Sequence, residues 1–172
     1  MKKLLRYIIL LLIVTLSLFF IFQTRDRIQQ KEATKEHIQQ MPSLQLQNVA
    51  GEIVNIQEIA GQYPAVIIYF SSDCNHCQYE AAELKKNIQQ FRNVQILMIT
   101  RSSATETRQF AKDYGLDHTT NVHFLLDKTD AFYKTFGTHR FPSIFIYNRE
   151  HQLIKKYIGE TKIPAIVQDI NM

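Results

Sequence analysis

The sequence predicts an α/β fold in which a central mixed sheet is flanked by helices. Continuous apolar runs of strand length alternate with helical patterns, which is typical of buried strands joined by helices. The last two apolar runs are separated by the four residues 148–151, and this hairpin spacing predicts an antiparallel pair. The chain has 172 residues, 45% hydrophobic and 21% charged, which suffices for one folded domain and a short appendage.

Each predicted element rests on a local pattern. Apolar residues on both sides of Gly51 predict a short hairpin at a sheet edge, over residues 44–56. The other predicted strands are the apolar runs 65–70, 94–99, 122–126, 143–147 and 153–157. Helices are predicted at 74–91, 105–114, 130–136 and near 162–171, the first with apolar residues along one side. Gly115 and Gly137 are expected to end two of these helices.

The N-terminal 22 residues differ from the rest in charge and hydropathy. Lys2, Lys3 and Arg6 precede an uncharged run, 7–22, made almost entirely of Leu, Ile, Val and Phe. Such a segment is either a cleaved signal peptide or an uncleaved anchor, and the lack of an A-x-A-like cleavage pattern favours the anchor. The charges then predict a cytoplasmic N-terminus, one transmembrane helix through residues 4–22, and the remaining chain outside the cytoplasm.

A polar segment rich in Gln, Lys, Glu and Arg follows, without Gly or Pro. It predicts a solvated helical stalk that ends near Pro42. The expected organisation is therefore a membrane segment at 1–22, a stalk at 23–40 and a folded domain at 41–172.

Charge and cysteine content exclude several classes of protein. The net charge is +4, but removing the three N-terminal basic residues from the total of 20 leaves 17 against 16 acidic residues. No basic surface for binding nucleic acid is therefore expected. Two cysteines exclude a disulfide-dense scaffold and any four-cysteine zinc or iron–sulfur site.

The two cysteines form a Cys-x-x-Cys motif between a predicted strand and a predicted helix. At a helix start, Cys74 faces free backbone N–H groups and the positive end of the helix dipole, which lowers the pKa of a thiol. Cys77 lies one turn later on the same side and is placed to attack a mixed disulfide formed at the first sulfur. Cys74 is therefore the predicted attacking thiol and Cys77 the predicted resolving thiol of a redox-active disulfide.

The segment YFSSDCNHCQYEAAEL, followed some 65 residues later by FPSIFIY, resembles the thioredoxin superfamily. With the anchor and Glu80, the chain is most similar to the TlpA/ResA-like extracytoplasmic thiol–disulfide oxidoreductases. The resemblance implies a thioredoxin-like fold and a cis peptide bond at Pro142, whose loop offers the Phe141 N–H and carbonyl to a substrate strand. It also implies a proton-relay role for Glu80, although a surface glutamate near a helix start is an equal alternative.

Three residues around the cysteines depart from ordinary thioredoxins and are expected to tune the redox balance. Asn75 and His76 stand where thioredoxins have Gly-Pro, and an imidazole directed at the Cys74 sulfur would stabilise its thiolate and make the disulfide more oxidising. Asp73 acts in the opposite sense, because a carboxylate near Cys74 opposes thiolate formation. His76→Ala is therefore expected to lower the reduction potential.

The resulting hypothesis is a membrane-anchored protein-disulfide oxidoreductase that acts on cysteine-containing proteins in the periplasm or its equivalent. No cofactor is needed, because the dithiol carries both electrons. A single membrane pass cannot ferry electrons, so a membrane-embedded electron donor or acceptor is expected as a partner, and the protein itself is expected to be a monomer. Whether the net flow is reduction, as in cytochrome c maturation, or oxidation is left open.

Four alternatives explain the same motif. A structural disulfide would stabilise little, because the ring it closes is small. A thioredoxin-like copper chaperone would use both thiolates and His139, although such proteins carry a Cys-x-x-x-Cys spacing. A peroxiredoxin is disfavoured, because the residues before Cys74 lack the Pro and Thr arrangement of those enzymes. The fourth alternative is a thioredoxin-fold module that binds partner proteins without catalysis.

Overall fold

A seven-stranded mixed sheet forms the centre of the part of the chain that the structure describes. This computed structural model describes the backbone of residues 2–170 and the side chains of residues 11–12, 15–25 and 32–170. The strands are β1 (Gln45–Asn48), β2 (Ile53–Asn55), β3 (Ala65–Phe70), β4 (Gln95–Thr100), β5 (Val122–Leu126), β6 (Ser143–Tyr147) and β7 (Leu153–Ile158). Their order across the sheet is β2-β1-β5-β4-β3-β6-β7.

Parallel and antiparallel pairs meet at β3. It pairs parallel with β4, which pairs parallel with β5, whereas β6 lies antiparallel to β3 on its other side. The hairpins β1–β2 and β6–β7 lie at the two edges and are antiparallel, as their spacing predicts. The prediction of a central mixed sheet is confirmed.

The sheet separates two apolar clusters, and six α-helices lie along the part of the chain that the structure describes. They are α1 (Lys2–His37), α2 (Ile56–Ala60), α3 (Asn75–Lys86), α4 (Ala104–Asp113), α5 (Ala131–Phe136) and α6 (Ile163–Ile170), with a 3-10 helix at Ile88–Phe91. All six residues of β3 are buried, with Phe70 in one cluster and Tyr69 in the other. Burial on both faces explains why this strand is an unbroken apolar run rather than an alternating one.

Three local features differ from the predictions. The helix expected at 74–91 is α3 followed by a separate 3-10 turn, with Cys74 at the N-cap. Residue 56 begins α2 instead of ending the edge hairpin, because the Asn55 side chain accepts the Gln57 N–H and caps this short helix. The start of α4 carries a capping box, formed by Ser103 and Glu106, that was not predicted from the sequence.

The chain divides into two units, residues 1–36 and residues 37–172. The first consists of most of α1, whose helix ends at His37. In the second, residues 38–41 join the sheet edge: the Met41 N–H donates to the His151 carbonyl, and Ile38 and Met41 are buried.

The predicted membrane segment, residues 4–22, includes positions whose side chains lie outside the described residues. Among the residues that are described, no helix combines the length and the apolar character needed to cross a bilayer. The transmembrane assignment therefore stays a prediction.

Candidate active site

Cys74 lies where β3 leads into α3. After a three-residue loop, it occupies the N-cap position with an extended backbone, φ −85° and ψ 114°. The Cys77 N–H donates a hydrogen bond to the Cys74 Sγ over 3.4 Å. A backbone donor and the positive end of a helix both stabilise negative charge on a sulfur atom. The strand–helix junction predicted for the motif is therefore present.

The loop before Cys74 is anchored by polar contacts. The backbone N–H and hydroxyl of Ser72 both contact the Ser102 hydroxyl, at 3.3 and 2.9 Å, and the Ser72 carbonyl accepts a bond from the Gln78 amide. The exposed Asp73 carboxylate accepts a hydrogen bond from the Ser71 hydroxyl. These contacts tie the cysteine loop to the end of β4 and hold Cys74 in place.

Cys77 is the buried member of the pair. It is 2% exposed, whereas Cys74 is partly exposed, and both thiols are free. Burial above all, and then the hydrogen bond with the Cys74 sulfur, raise the pKa of Cys77 far above its ordinary value. Cys77 is therefore protonated at neutral pH and needs a base before it can attack.

Glu80 lies one turn beyond Cys77 on the same buried face of α3. It is 2% exposed, its Oε1 accepts the Thr161 N–H at 3.3 Å, and its Oε2 has no hydrogen-bond partner. Around the carboxyl lie Cys77 and apolar side chains of the sheet, with no room for a water molecule between them. Burial raises the pKa of Glu80 to about 8. The alternative of an exposed surface glutamate is therefore wrong.

The Phe141–Pro142 peptide bond is cis, as the resemblance implies. Pro142 is buried, and its carbonyl accepts the Gly159 N–H at 2.8 Å. Phe141 packs beside Tyr69 with ring centroids 4.8 Å apart. Within the described residues, the Phe141 backbone N–H and carbonyl form no hydrogen bond, so both are available to an extended strand.

His76 contacts a carboxylate and not the Cys74 sulfur. Its Nδ1 lies 2.5 Å from Oε2 of Glu160, and both side chains are exposed, His76 to 69% and Glu160 to 42%. The expected hydrogen bond from the imidazole to the thiolate is thus absent among the described contacts, because Glu160 draws the ring toward the end of β7. Asn75 is exposed at the first position of α3.

The described part of the chain holds no set of ligands for the alternative of a copper site. No group of three His, Cys, Asp or Glu side chains lies close enough to bind a metal ion there. His139, the expected third ligand, stacks on Tyr133 with ring centroids 3.7 Å apart and lies 3.6 Å from the Asp130 carboxylate.

The loop at residues 159–162, between β7 and α6, was not predicted from the sequence to belong to the site. In this loop, the Gly159 N–H bonds to the Pro142 carbonyl and the Thr161 N–H bonds to the Glu80 carboxylate. The Glu160 carboxylate contacts the His76 ring. A usable signal was the predicted β6–β7 hairpin. Its register pairs Ser143 with Ile158 and therefore places the residues after β7 beside the proline.

The sequence profile of the AhpC/TSA family matches residues 38–156. This range includes both cysteines, Glu80 and Pro142. No curated protein matches the sequence at a significant level.

Three solved structures show the same fold. Peroxidoxin BcpB from Mycobacterium tuberculosis is 13% identical with a TM-score of 0.67, over 77% of this chain and 94% of its own. A secreted Mycobacterium tuberculosis disulfide oxidoreductase homologous to E. coli DsbE is 15% identical with a TM-score of 0.63, over 80% and 98%. StoA from Bacillus subtilis is 15% identical with a TM-score of 0.58, over 73% and 94%. Identities this low show the fold alone.

Proposed function

The chain belongs to the AhpC/TSA family, whose thioredoxin-like fold it shares, and we propose that it is a thiol–disulfide oxidoreductase for proteins. One observation carries this proposal: a partly exposed cysteine caps α3, and behind it a buried cysteine lies beside a buried carboxyl group. A structural disulfide would not need such a carboxyl, because burying an acid without full hydrogen bonding destabilises the fold.

The proposed reaction transfers two electrons through the dithiol. The Cys74 thiolate attacks a client disulfide, forms a mixed disulfide and releases the first client thiolate. Cys77 then gives its proton to the Glu80 carboxylate and attacks the Cys74 sulfur. A Cys74–Cys77 disulfide forms, and the second client thiolate leaves and takes up a proton. The client is reduced and the protein oxidised; the same steps in reverse oxidise a client dithiol.

The groove for the client lies along the proline loop in this proposal. An extended client segment pairs with the unoccupied backbone N–H and carbonyl of Phe141, which places its sulfur beside Cys74. Pro142 shapes this loop, and its carbonyl is already held by Gly159.

We further propose the TlpA/ResA-like arrangement, with residues 4–22 in a membrane and residues 41–172 outside the cytoplasm. Support comes from the basic residues before the apolar run and from the lack of a cleavage pattern. In that location the dithiol is regenerated by a membrane-embedded electron donor or acceptor. Tagging each end and testing its protection from added protease in spheroplasts checks the orientation.

Reduction of insulin by dithiothreitol tests the proposed activity. The full-length protein is expected to accelerate it, Cys74→Ser to abolish the acceleration, and Cys77→Ser to accumulate a mixed disulfide with an insulin chain, seen by mass spectrometry under non-reducing conditions. Glu150→Gln changes an exposed carboxylate at the far end of the β6–β7 hairpin and serves as the matched control. A wild-type protein that adds nothing to the rate with dithiothreitol alone would contradict the proposal.

Two further measurements separate the alternatives. Turnover of hydrogen peroxide without insulin reduction would favour a peroxidase, in which Cys74 becomes a sulfenic acid that Cys77 resolves. Tight Cu(I) binding that requires both cysteines would favour a metal chaperone. The reduction potential, measured against glutathione, indicates the direction of electron flow in the working cycle.

A further inference from the structure

Residues 159–162, the loop between β7 and α6, contact three separate parts of the candidate active site. The Gly159 N–H bonds to the carbonyl of Pro142 at 2.8 Å, and the Thr161 N–H bonds to Oε1 of Glu80 at 3.3 Å. The Thr161 hydroxyl also donates to the Gly159 carbonyl at 3.2 Å, which closes the loop on itself. The loop is therefore a common support for the proline and the buried carboxyl.

Glu160 attaches the middle of this loop to α3. Its carboxylate lies 2.5 Å from Nδ1 of His76, a residue between the two cysteines. The contact bridges two elements that are 84 positions apart in the chain. Glu160 thus lies between two backbone contacts of the loop and joins them to the cysteine motif.

The surroundings of Glu80 make the Thr161 N–H important. The groups that face Glu80 are the Cys77 thiol of α3, apolar side chains of β3 and β4, and the loop: Cys77, Ile68, Phe70, Met98, Glu160 and Thr161. Among these, the Thr161 N–H is the hydrogen-bond donor to the carboxylate. It lowers the pKa of Glu80 against the effect of burial, whereas the nearby Glu160 charge raises it by less.

We propose that Glu160 is a positioning residue, whose hydrogen bond to His76 holds the loop against α3 and keeps the Thr161 N–H on Glu80. The contact thereby sets the pH at which Glu80 accepts the Cys77 proton. This inference rests on the proposed role of Glu80 in thiol–disulfide exchange. It gives His76 a mechanical role, through Glu160, in place of the expected direct contact with the Cys74 sulfur.

The test uses the reduced full-length protein and dithiobis(nitrobenzoate) in a rapid-mixing experiment. Attack by Cys74 releases one thionitrobenzoate and leaves a second in a mixed disulfide. Attack by Cys77, with its proton passing to Glu80, then forms the Cys74–Cys77 disulfide and releases the second thionitrobenzoate. The rate of this second phase is followed against pH, and the midpoint that disappears in Glu80→Gln reports the titration of Glu80.

Two substitutions at position 160 are expected to shift this midpoint in opposite directions. Glu160→Ala breaks the contact and frees the Thr161 N–H from Glu80, which raises the midpoint by about one pH unit, the size expected for losing a bond to a charged group. Because the variant also loses the Glu160 charge, which lowers the midpoint by about 0.3 pH unit, the net rise is about 0.7 pH unit. Glu160→Gln keeps an oxygen that can accept from His76 but removes the charge, so the midpoint falls by about 0.3 pH unit. His76→Ala should raise the midpoint like Glu160→Ala, and the double variant should add little to either.

The control is Glu150→Gln, whose midpoint should equal that of the wild type. The proposal is overturned if Glu160→Ala and Glu160→Gln both lower the midpoint, which would mean that only charge matters. It is also overturned if neither shifts the midpoint, or if the His76 and Glu160 effects add. Because the second phase needs no client protein, failure to reduce insulin would count against the proposed function without affecting this result.

Discussion

Glu80→Gln is expected to remove most of the pH dependence of stability that the buried carboxyl creates. Glu80 is 2% exposed, and burial raises its pKa in the folded protein to about 8, against an ordinary 4.5. Between these two values, the folded protein keeps a proton that the unfolded chain has released. The stabilisation is therefore complete below the unfolded pKa and is lost as the pH rises through the folded pKa.

The size of the effect follows from the two pKa values. Each pKa unit is worth about 1.4 kcal/mol, and between about pH 5 and about pH 8 the difference in bound protons integrates to about 3.5 kcal/mol. The pKa of Cys77 is raised well above this range, so the thiol stays protonated in the folded protein. A glutamine at position 80 has no proton to keep and should show none of this loss.

Urea unfolding of the reduced protein at these two pH values is the assay. The free energy of unfolding of the wild type should fall with rising pH by about 3.5 kcal/mol more than that of Glu80→Gln. Glu150→Gln should behave like the wild type, since that side chain is exposed. If Glu80→Gln and the wild type lose the same free energy over this interval, the carboxyl titrates normally and the reasoning from its burial is refuted.

Three further outcomes are expected. Glu80→Gln should slow the second release of thionitrobenzoate on the order of 100-fold and flatten its rise with pH near 8; an unchanged profile would assign the base elsewhere. Tyr69→Phe should leave the free energy of unfolding in urea unchanged or raise it by about 1 kcal/mol, because the buried Tyr69 hydroxyl has no hydrogen-bond partner. Tyr147→Phe should lower it by about 1 kcal/mol, because the Tyr147 hydroxyl loses its bond to the Ile38 carbonyl. Equal effects of the two substitutions would contradict this prediction. Asp127→Ala should lower the free energy of unfolding by about 2 to 3 kcal/mol, since its buried carboxylate accepts two N–H groups at the start of α5, and a loss under 0.5 kcal/mol would count against that cap.

Most of the sheet was predictable because its strands carry strong local signals. β3 and β4 are unbroken apolar runs, and the short connection before β7 permits only a hairpin. α2 was missed because five residues with one buried isoleucine and a side-chain cap do not form a helical pattern of useful length.

The burial of Glu80 could not be predicted from the local sequence pattern alone. Positions 77, 80, 81 and 84 share one face of α3, and this spacing already placed Glu80 among apolar neighbours. A glutamate at such a position can still extend to solvent if nothing covers it. The loop at 159–162 covers it, and that loop comes about 80 residues later in the chain.

The sequence by itself determined the succession along the chain of the strands and of the helices other than α2, and it determined that Cys74 begins a helix after a buried strand. These features depend on periodicity and on neighbours within a few residues, where apolar burial and backbone capping act. Only the tertiary structure decided that Glu80 is buried beside Cys77 and that His76 contacts Glu160. The packing of a distant loop against α3 sets these contacts, because hydration and charge at a side chain depend on whatever surrounds it in space.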